Sequence, residues 1–342
     1  MITLRGLNRA TLHRQLLLDR ADLTAHDAIA HLVGMQAQEP KSPYVGLWSR
    51  LRGFAPSGLE DLLTARSVVR APLHRATIHL VTATDHAVLE PLLRPFLHRR
   101  FHSSQFRLPV DPEPIVAAAR TALEDRPRTR AEMSVLLAAR WPDLDPASLG
   151  QAGTFLLPVV QVPPRGLWSR SGQATWTTAA SWLGDRPETG TTADVVRRYL
   201  AAFGPATVRD IQAWSGLTRL KTVVEGMDLT DLGGGLYDVP DGVLPDPDTP
   251  APPRFLPEFD NLLLGHHDRT RVISDEDYRR GVVVGGKPTL LVDGFVHGTW
   301  RVAAGLEITA FRPLTRAQRA DVLAEGARLL AFAGVDGPVT IG

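Results

Sequence analysis

The 342-residue chain is 44% hydrophobic and 22% charged, the balance of an ordinary folded protein of two or three domains. It contains no cysteine, which excludes disulfides and thiolate metal sites, and no apolar run near the roughly 20 residues that cross a bilayer. The net charge of +1 excludes a strongly basic footprint but hides a gradient: residues 1–110 carry +6, residues 111–190 carry −1 and residues 191–342 carry −4. The N-terminal stretch lacks the layout of a secretory signal, so a soluble, cytoplasmic protein with no membrane partner is expected.

An order of helices followed by a pair of strands recurs three times. In the first pass helices are predicted over residues 11–18, 24–35 and 43–51, with a capping-box spacing from Ser57 to Glu60. The alternating VVRAPLHRATIHLV closes it. The second pass has a helix from Pro114 to Leu123, a capping box from Thr129 to Glu132, a helix near residues 147–160, and VPPRGLWSRSGQATWTTAASWL as its strand pair. The third is the clearest. A helix over residues 192–203 is stopped by Gly204-Pro205, and Thr207 three residues before Asp210 starts residues 208–214. Thr218 caps a further helix to about Met227, and LTDLGGGLYDVP reads as two strands around a glycine turn.

This is the layout of a winged helix-turn-helix. The predicted division is residues 1–110, 111–190 and 191–240 as three such units, a proline-rich acidic linker at 241–253, and a C-terminal α/β segment at 254–342 with a helix near 314–333. The fold class is α+β.

The segment HLVGMQAQEPKSPYVGLWSR ends one helix and begins another, with Pro40 and Pro43 forbidding continuous helix between. In extended chain Gln36 and Gln38 point the same way and can share a cleft; in a helix they diverge by about 200°. Taken alone, the pair reads first as two exposed amides near a helix end.

At MQAQEP with YVGLWSR (35–50), RATIHLV (75–81), FGPATVRDIQAWSGL (203–217), LPEFDNLLLGHHDR (256–269) and VDGFVHGTWR (292–301), the chain resembles the bacterial winged-helix DNA glycosylases of the AlkZ and YcaQ (AlkX) type. The resemblance implies a C-shaped scaffold of tandem winged helices that excises alkylated guanine without metal or organic cofactor. It further implies a monomer acting on double-stranded DNA, serving repair or self-resistance to a genotoxic natural product. The family's catalytic Gln-x-Gln or Gln-x-Asp motif falls on Gln36 and Gln38, the Gln-x-Gln form of the AlkZ-like branch.

The chemistry suits neutral amides. An ordinary glycosidic bond needs an acid for its leaving group and a carboxylate opposite. A purine alkylated at N7 is already cationic and leaves as a neutral base, so a glutamine that orients water against C1′ suffices. Glu39 is the rival carboxylate, with Asp85 and Glu60 farther off in sequence. Lys41 is the lysine closest to the motif, which disfavours a Schiff-base lyase.

Alternation puts Arg75, Thr77 and His79 on one strand face, where Arg75 and His79 line the cleft or bond within the fold, with His74 on the other. Lys41 and Trp48 are grouped with the cleft, although tryptophans are mostly core. Asp260, Asn261, His266, His267 and Arg269 are expected to brace the cleft; adjacent histidines do not easily converge on one metal. Gly285-Gly286-Lys287 reads as a hairpin turn with Lys287 at its tip, which the resemblance would place in the minor groove, or as an ordinary exposed turn. Two non-catalytic readings compete: a regulatory or architectural winged-helix DNA-binding protein, and a protein-interaction scaffold.

Overall fold

The computed structural model describes residues 2–186 and 190–342. It has a mixed α+β architecture built on three sheets. The largest orders six strands as β1-β3-β2-β5-β6-β4: β1 (Met35–Gln36), β2 (Val68–Pro72), β3 (Ile78–Thr82), β4 (Arg128–Thr129), β5 (Val159–Val162) and β6 (Thr175–Thr178). The strand pairs of the first two passes thus share one sheet, joined where Arg70 of β2 lies opposite Gln161 of β5.

A second sheet orders β7 (Ala206–Thr207), β9 (Leu236–Asp238) and β8 (Thr230–Asp231). The third runs β10 (Arg254–Leu256), β11 (Thr289–Val292), β12 (Phe295–Val302), β13 (Leu306–Ala310) and β14 (Val339–Ile341), with only β13 and β14 parallel. The principal core packs Val69, Ala71 and Val81 of the large sheet against Tyr199, Phe203, Ile211 and Trp214 of the third pass. That contact holds the passes together by apolar burial.

Two of the four predicted helix caps form, at Thr129 and Thr207, because a side-chain oxygen satisfies an amide that the first turn leaves orphaned. Thr24 accepts from Asp27, and reciprocal capping boxes form at Thr129 with Glu132 and Thr207 with Asp210. Elsewhere the prediction fails locally. The helix opening the chain is Leu4–Arg14, capped by Thr3, and Ala25–His31 stops four residues early because Val33 and Gly34 turn left-handed. Ser57 caps nothing: helix Pro56–Thr64 starts on a proline, which needs no amide partner, and Glu60 instead accepts from Ser169.

Thr218 likewise caps nothing, and the helix there is only Lys221–Glu225. The helix expected near 147–160 ends at Gly153, and its last residues form β5. A twenty-residue helix, Ala83–His102, with Pro91 and Pro95 inside it, occupies a stretch where no element was expected. The proline-rich stretch 241–253 has no regular element but is tied down: Arg5 donates to Pro247 O, Arg9 to Thr249 O and Arg14 to Val243 O.

The C-terminal expectation needs one correction. Residues 282–284 form turns rather than a strand, so Lys287 is an exposed residue leading into β11, not the tip of a hairpin. The amide of Gly285 bonds to Gly281 O and that of Lys287 to Val282 O, which coils the segment on itself. The hairpins of this region are β11–β12, turning at Asp293-Gly294, and β12–β13, whose turn carries exposed residues 303 and 304.

Candidate active site

The Gln-Ala-Gln stretch lies on the edge of the large sheet. Gly34, at φ 93°, throws the chain out of the preceding helix, and a Cβ there would sit 2.5 Å from Val81 Cγ1, so only glycine fits. Gln36 then pairs with His79, and Ala37 N donates to Ile78 O at 2.7 Å. The outer edge of β1 is closed by one side chain. Asn261 accepts from Gln36 N at 3.2 Å and donates to Gly34 O at 2.6 Å, doing for β1 what a neighbouring strand would do.

Asp260 fixes Asn261 in turn. Its carboxylate accepts from Leu262 N at 2.9 Å and takes two parallel bonds from Arg50, at 2.9 and 2.7 Å. Arg50 is fully buried.

The two glutamines occupy different settings. Gln36 is buried, and its Oε1 accepts from Arg75 Nη2 at 2.7 Å. Gln38 is exposed, its Oε1 accepting from Ile78 N at 3.3 Å, and it lines a groove of about 410 Å³ with Gln151, Gln161, Arg130, Arg165 and Phe106. Gln36 is not in that lining, so one amide is enclosed and the other open. The extended backbone that the prolines permit is present, but β1 leaves the ladder after Gln36.

Arg75 departs from the predicted alternation. The chain leaves β2 after Pro72 and re-enters the ladder at Ile78, and Arg75 sits between them on the turn His74–Ala76 with φ 54°. That turn still brings it to His79: Arg75 Nη2 lies 3.2 Å from His79 Nε2, while Nη1 donates to Trp214 O. Arginine only donates, so His79 Nε2 accepts and Nδ1 carries the proton, donating to Thr77 O at 3.0 Å. Burial first, and the Arg75 charge second, hold His79 well below its ordinary pKa and therefore neutral. Burial, with the nearby charge of Arg269, lowers Arg75 to about 10, which leaves it a cation at neutral pH.

Other expected cleft residues scatter. Lys41 borders a second groove with Glu39, Ser42, Arg165 and Glu258, its Nζ 5.0 Å above the Trp168 ring. Trp48 is core, stacked on Phe332 at 5.6 Å beneath Arg20, because its helix buries that face. His266 is also core, donating to Phe203 O beside the Tyr199 and Phe203 rings. His267 and Arg269 line a separate groove with Arg209 and Tyr278. Of the carboxylates, Asp85 is held by Arg198 and Glu60 by Ser169, while Glu39 is exposed and borders the second groove, which shares Arg165 with the Gln38 groove. Among the described residues, no three His, Asp or Glu groups are placed to hold a metal.

A family model described as DNA glycosylase AlkZ-like matches residues 29–332. The chain belongs to the AlkZ-like DNA glycosylase family. An interstrand DNA cross-link repair glycosylase from Streptomyces sahachiroi is 25% identical to it, the match covering 95% of each chain. The solved structure of Streptomyces sahachiroi DNA glycosylase AlkZ superposes with a TM-score of 0.77 over 99% of each chain, at 22% identity. This AlkZ-like chain is therefore a DNA glycosylase, a membership that does not favour the non-catalytic alternatives.

Two further residues brace the candidate site from positions the sequence motifs do not mark. Arg70 is buried and donates from Nη2 to Ala37 O at 2.7 Å, clamping the peptide between the two glutamines. Gln161 lies directly opposite Arg70 across the sheet. Both interrupt apolar strand runs, VVRAP and PVVQV, and a polar residue inside such a run was the available signal.

Four of the five histidines buried among the described residues should make this AlkZ-like fold acid-sensitive. Burial lowers His74 and His266 to about 3 and His86 to about 4, and it holds His79 well below its ordinary value. A depressed folded-state pKa means the unfolded chain binds more protons below its own value of about 6.5. Stability is then fully present above that pH and declines as pH falls through the window down to the folded values. Urea titrations should show a midpoint dropping steadily from pH 7 to pH 5; a flat midpoint across that range contradicts the four neutral histidines.

Proposed function

We propose that this DNA glycosylase is a monomer, hydrolysing the N-glycosidic bond of N7-alkylated purines in double-stranded DNA, with bulky adducts and interstrand crosslinks among its substrates. The observation carrying the reading is an open glutamine, Gln38, fixed on the β3 backbone beside a groove whose lining, among the described residues, holds no carboxylate. A water oriented by Gln38 attacks C1′, the C1′–N9 bond breaks, and its electron pair neutralises the positive charge of the departing base. The water's proton passes to solvent. The balanced step consumes only water.

Gln36 shapes the other side. With its carbonyl turned to Arg75 and its amide plane fixed by that bond, it holds the geometry in which Gln38 is presented. We read the three helix-and-hairpin passes as winged-helix units that lay DNA across this edge, which puts the enzyme at the nucleoid in the cytoplasm. Crosslinks enter the proposal through the Streptomyces relative, whose name states that activity.

Incubation with duplexes holding one 7-methylguanine tests the reading. Free 7-methylguanine and an alkali-labile site are expected, with no covalent adduct after borohydride. Intact base after prolonged single-turnover incubation overturns the glycosylase assignment, and a trapped adduct overturns the hydrolytic one.

A further inference from the structure

The Gln38 groove has a one-sided chemistry. Among the described residues its polar lining includes Gln38, Gln151, Gln161, Arg130 and Arg165 and no aspartate or glutamate. Arg130 donates from Nε to Thr154 Oγ1 and Arg165 from Nη1 to Gly172 O, both at 3.0 Å, and among the described residues neither makes an ion pair. Behind them Arg70, opposite Gln161, has Nε and Nη1 buried without partners. The acids of this region, Glu39 and Glu258, border the neighbouring groove, which shares Arg165 with this one, and Arg165 is ion-paired to neither.

A space of about 410 Å³ can accept a nucleobase by size. Charge decides otherwise. An N7-alkylated purine is a cation, and two arginines without a counter-ion repel it. A phosphodiester supplies what the lining lacks, a negative charge and paired oxygens that match guanidinium donors. We propose that this groove seats a backbone phosphate of the damaged strand, within two nucleotides of the lesion, with Arg130 and Arg165 as its clamp.

The proposal rests on the glycosylase reading of Gln38 and deepens it. The backbone, held in the groove, presents C1′ to Gln38, and the charged base stays outside. A bulky or crosslinked adduct then needs no pocket of its own.

The test uses duplexes with a 2′-fluoro 7-methylguanine nucleotide, whose fluorine disfavours the oxocarbenium state and blocks turnover. A neutral methylphosphonate replaces each flanking phosphate in turn. The wild type should lose about tenfold or more in affinity at one or two positions, the weight of a charge-assisted bond. The Arg130→Gln/Arg165→Gln variant should bind more weakly, lose that positional sensitivity, and show a salt dependence shallower by about two phosphate contacts. The Arg130→Lys/Arg165→Lys pair should keep the sensitivity.

No sensitive position in the wild type, or unchanged sensitivity in the double glutamine variant, overturns the phosphate seat. So does an affinity set by the size of the N7 substituent and lost in that variant, which marks a base seat. Base release from the unfluorinated duplex runs in parallel: its absence sinks the glycosylase reading, whereas its presence without coupling sinks the phosphate seat alone.

Discussion

Alanine at Gln38 is expected to slow release of a cationic purine by roughly 10²- to 10³-fold, the cost of removing one preorganised polar group from a reaction centre. DNA affinity should change little, because Gln38 is one neutral side chain in a groove where Arg130 and Arg165 are the proposed phosphate contacts. The expected signature is a fall in the single-turnover rate at saturating enzyme with nearly constant Kd. Equal losses in both would make Gln38 a DNA-positioning group. Glu39→Gln is the matched control: Glu39 borders the other groove, so its loss should leave the rate nearly intact. A rate that survives Gln38→Ala and collapses with Glu39→Gln would reverse the assignment.

Asp260→Asn should cost about 3–5 kcal/mol of stability, the penalty for leaving a buried cation without its partner. Arg50 is fully buried, and both bonds to Asp260 are lost as charge pairs on this change. Against a total stability of about 5–15 kcal/mol, that is a large share. The effect reaches the site because Asp260 caps Leu262 and thereby places Asn261 on the edge of β1. Replacing the pair together, Arg50→Met with Asp260→Leu, should recover much of the loss, as paired apolar replacements of buried ions often do. Urea unfolding measures both. A single-variant loss below about 1 kcal/mol would show that solvent reaches Arg50.

The sequence made some of this legible and some not, for identifiable reasons. Capping boxes at Thr129 and Thr207 and the stop at Gly204-Pro205 act through neighbours three or four residues away, so local reading found them. The capping spacing at Ser57 misled because Pro56 had already started the helix. Arg75 was placed near His79 for the wrong reason: alternation assumed an unbroken strand, and the turn His74–Ala76 makes the contact instead.

Long-range partners were the least visible. Asn261 closes the edge of β1 from 225 residues away, and Arg70 of β2 meets Ala37 only because β3 pairs with both β1 and β2. Asp260 and Asn261 were expected to brace the cleft, although neither spacing nor composition could say which atoms they hold. Trp48 and His266 were set in the cleft by motif membership, and burial moved them into the core.

The central claim is that a fixed neutral amide suffices because the leaving base is already charged. Single-turnover base release by the wild type, compared between duplexes with 7-methylguanine and with uncharged 8-oxoguanine at the same position, tests it most directly. The account predicts rapid release of 7-methylguanine and release of 8-oxoguanine no faster than without enzyme. Comparable rates for the two bases would contradict it and require an acid for the leaving group.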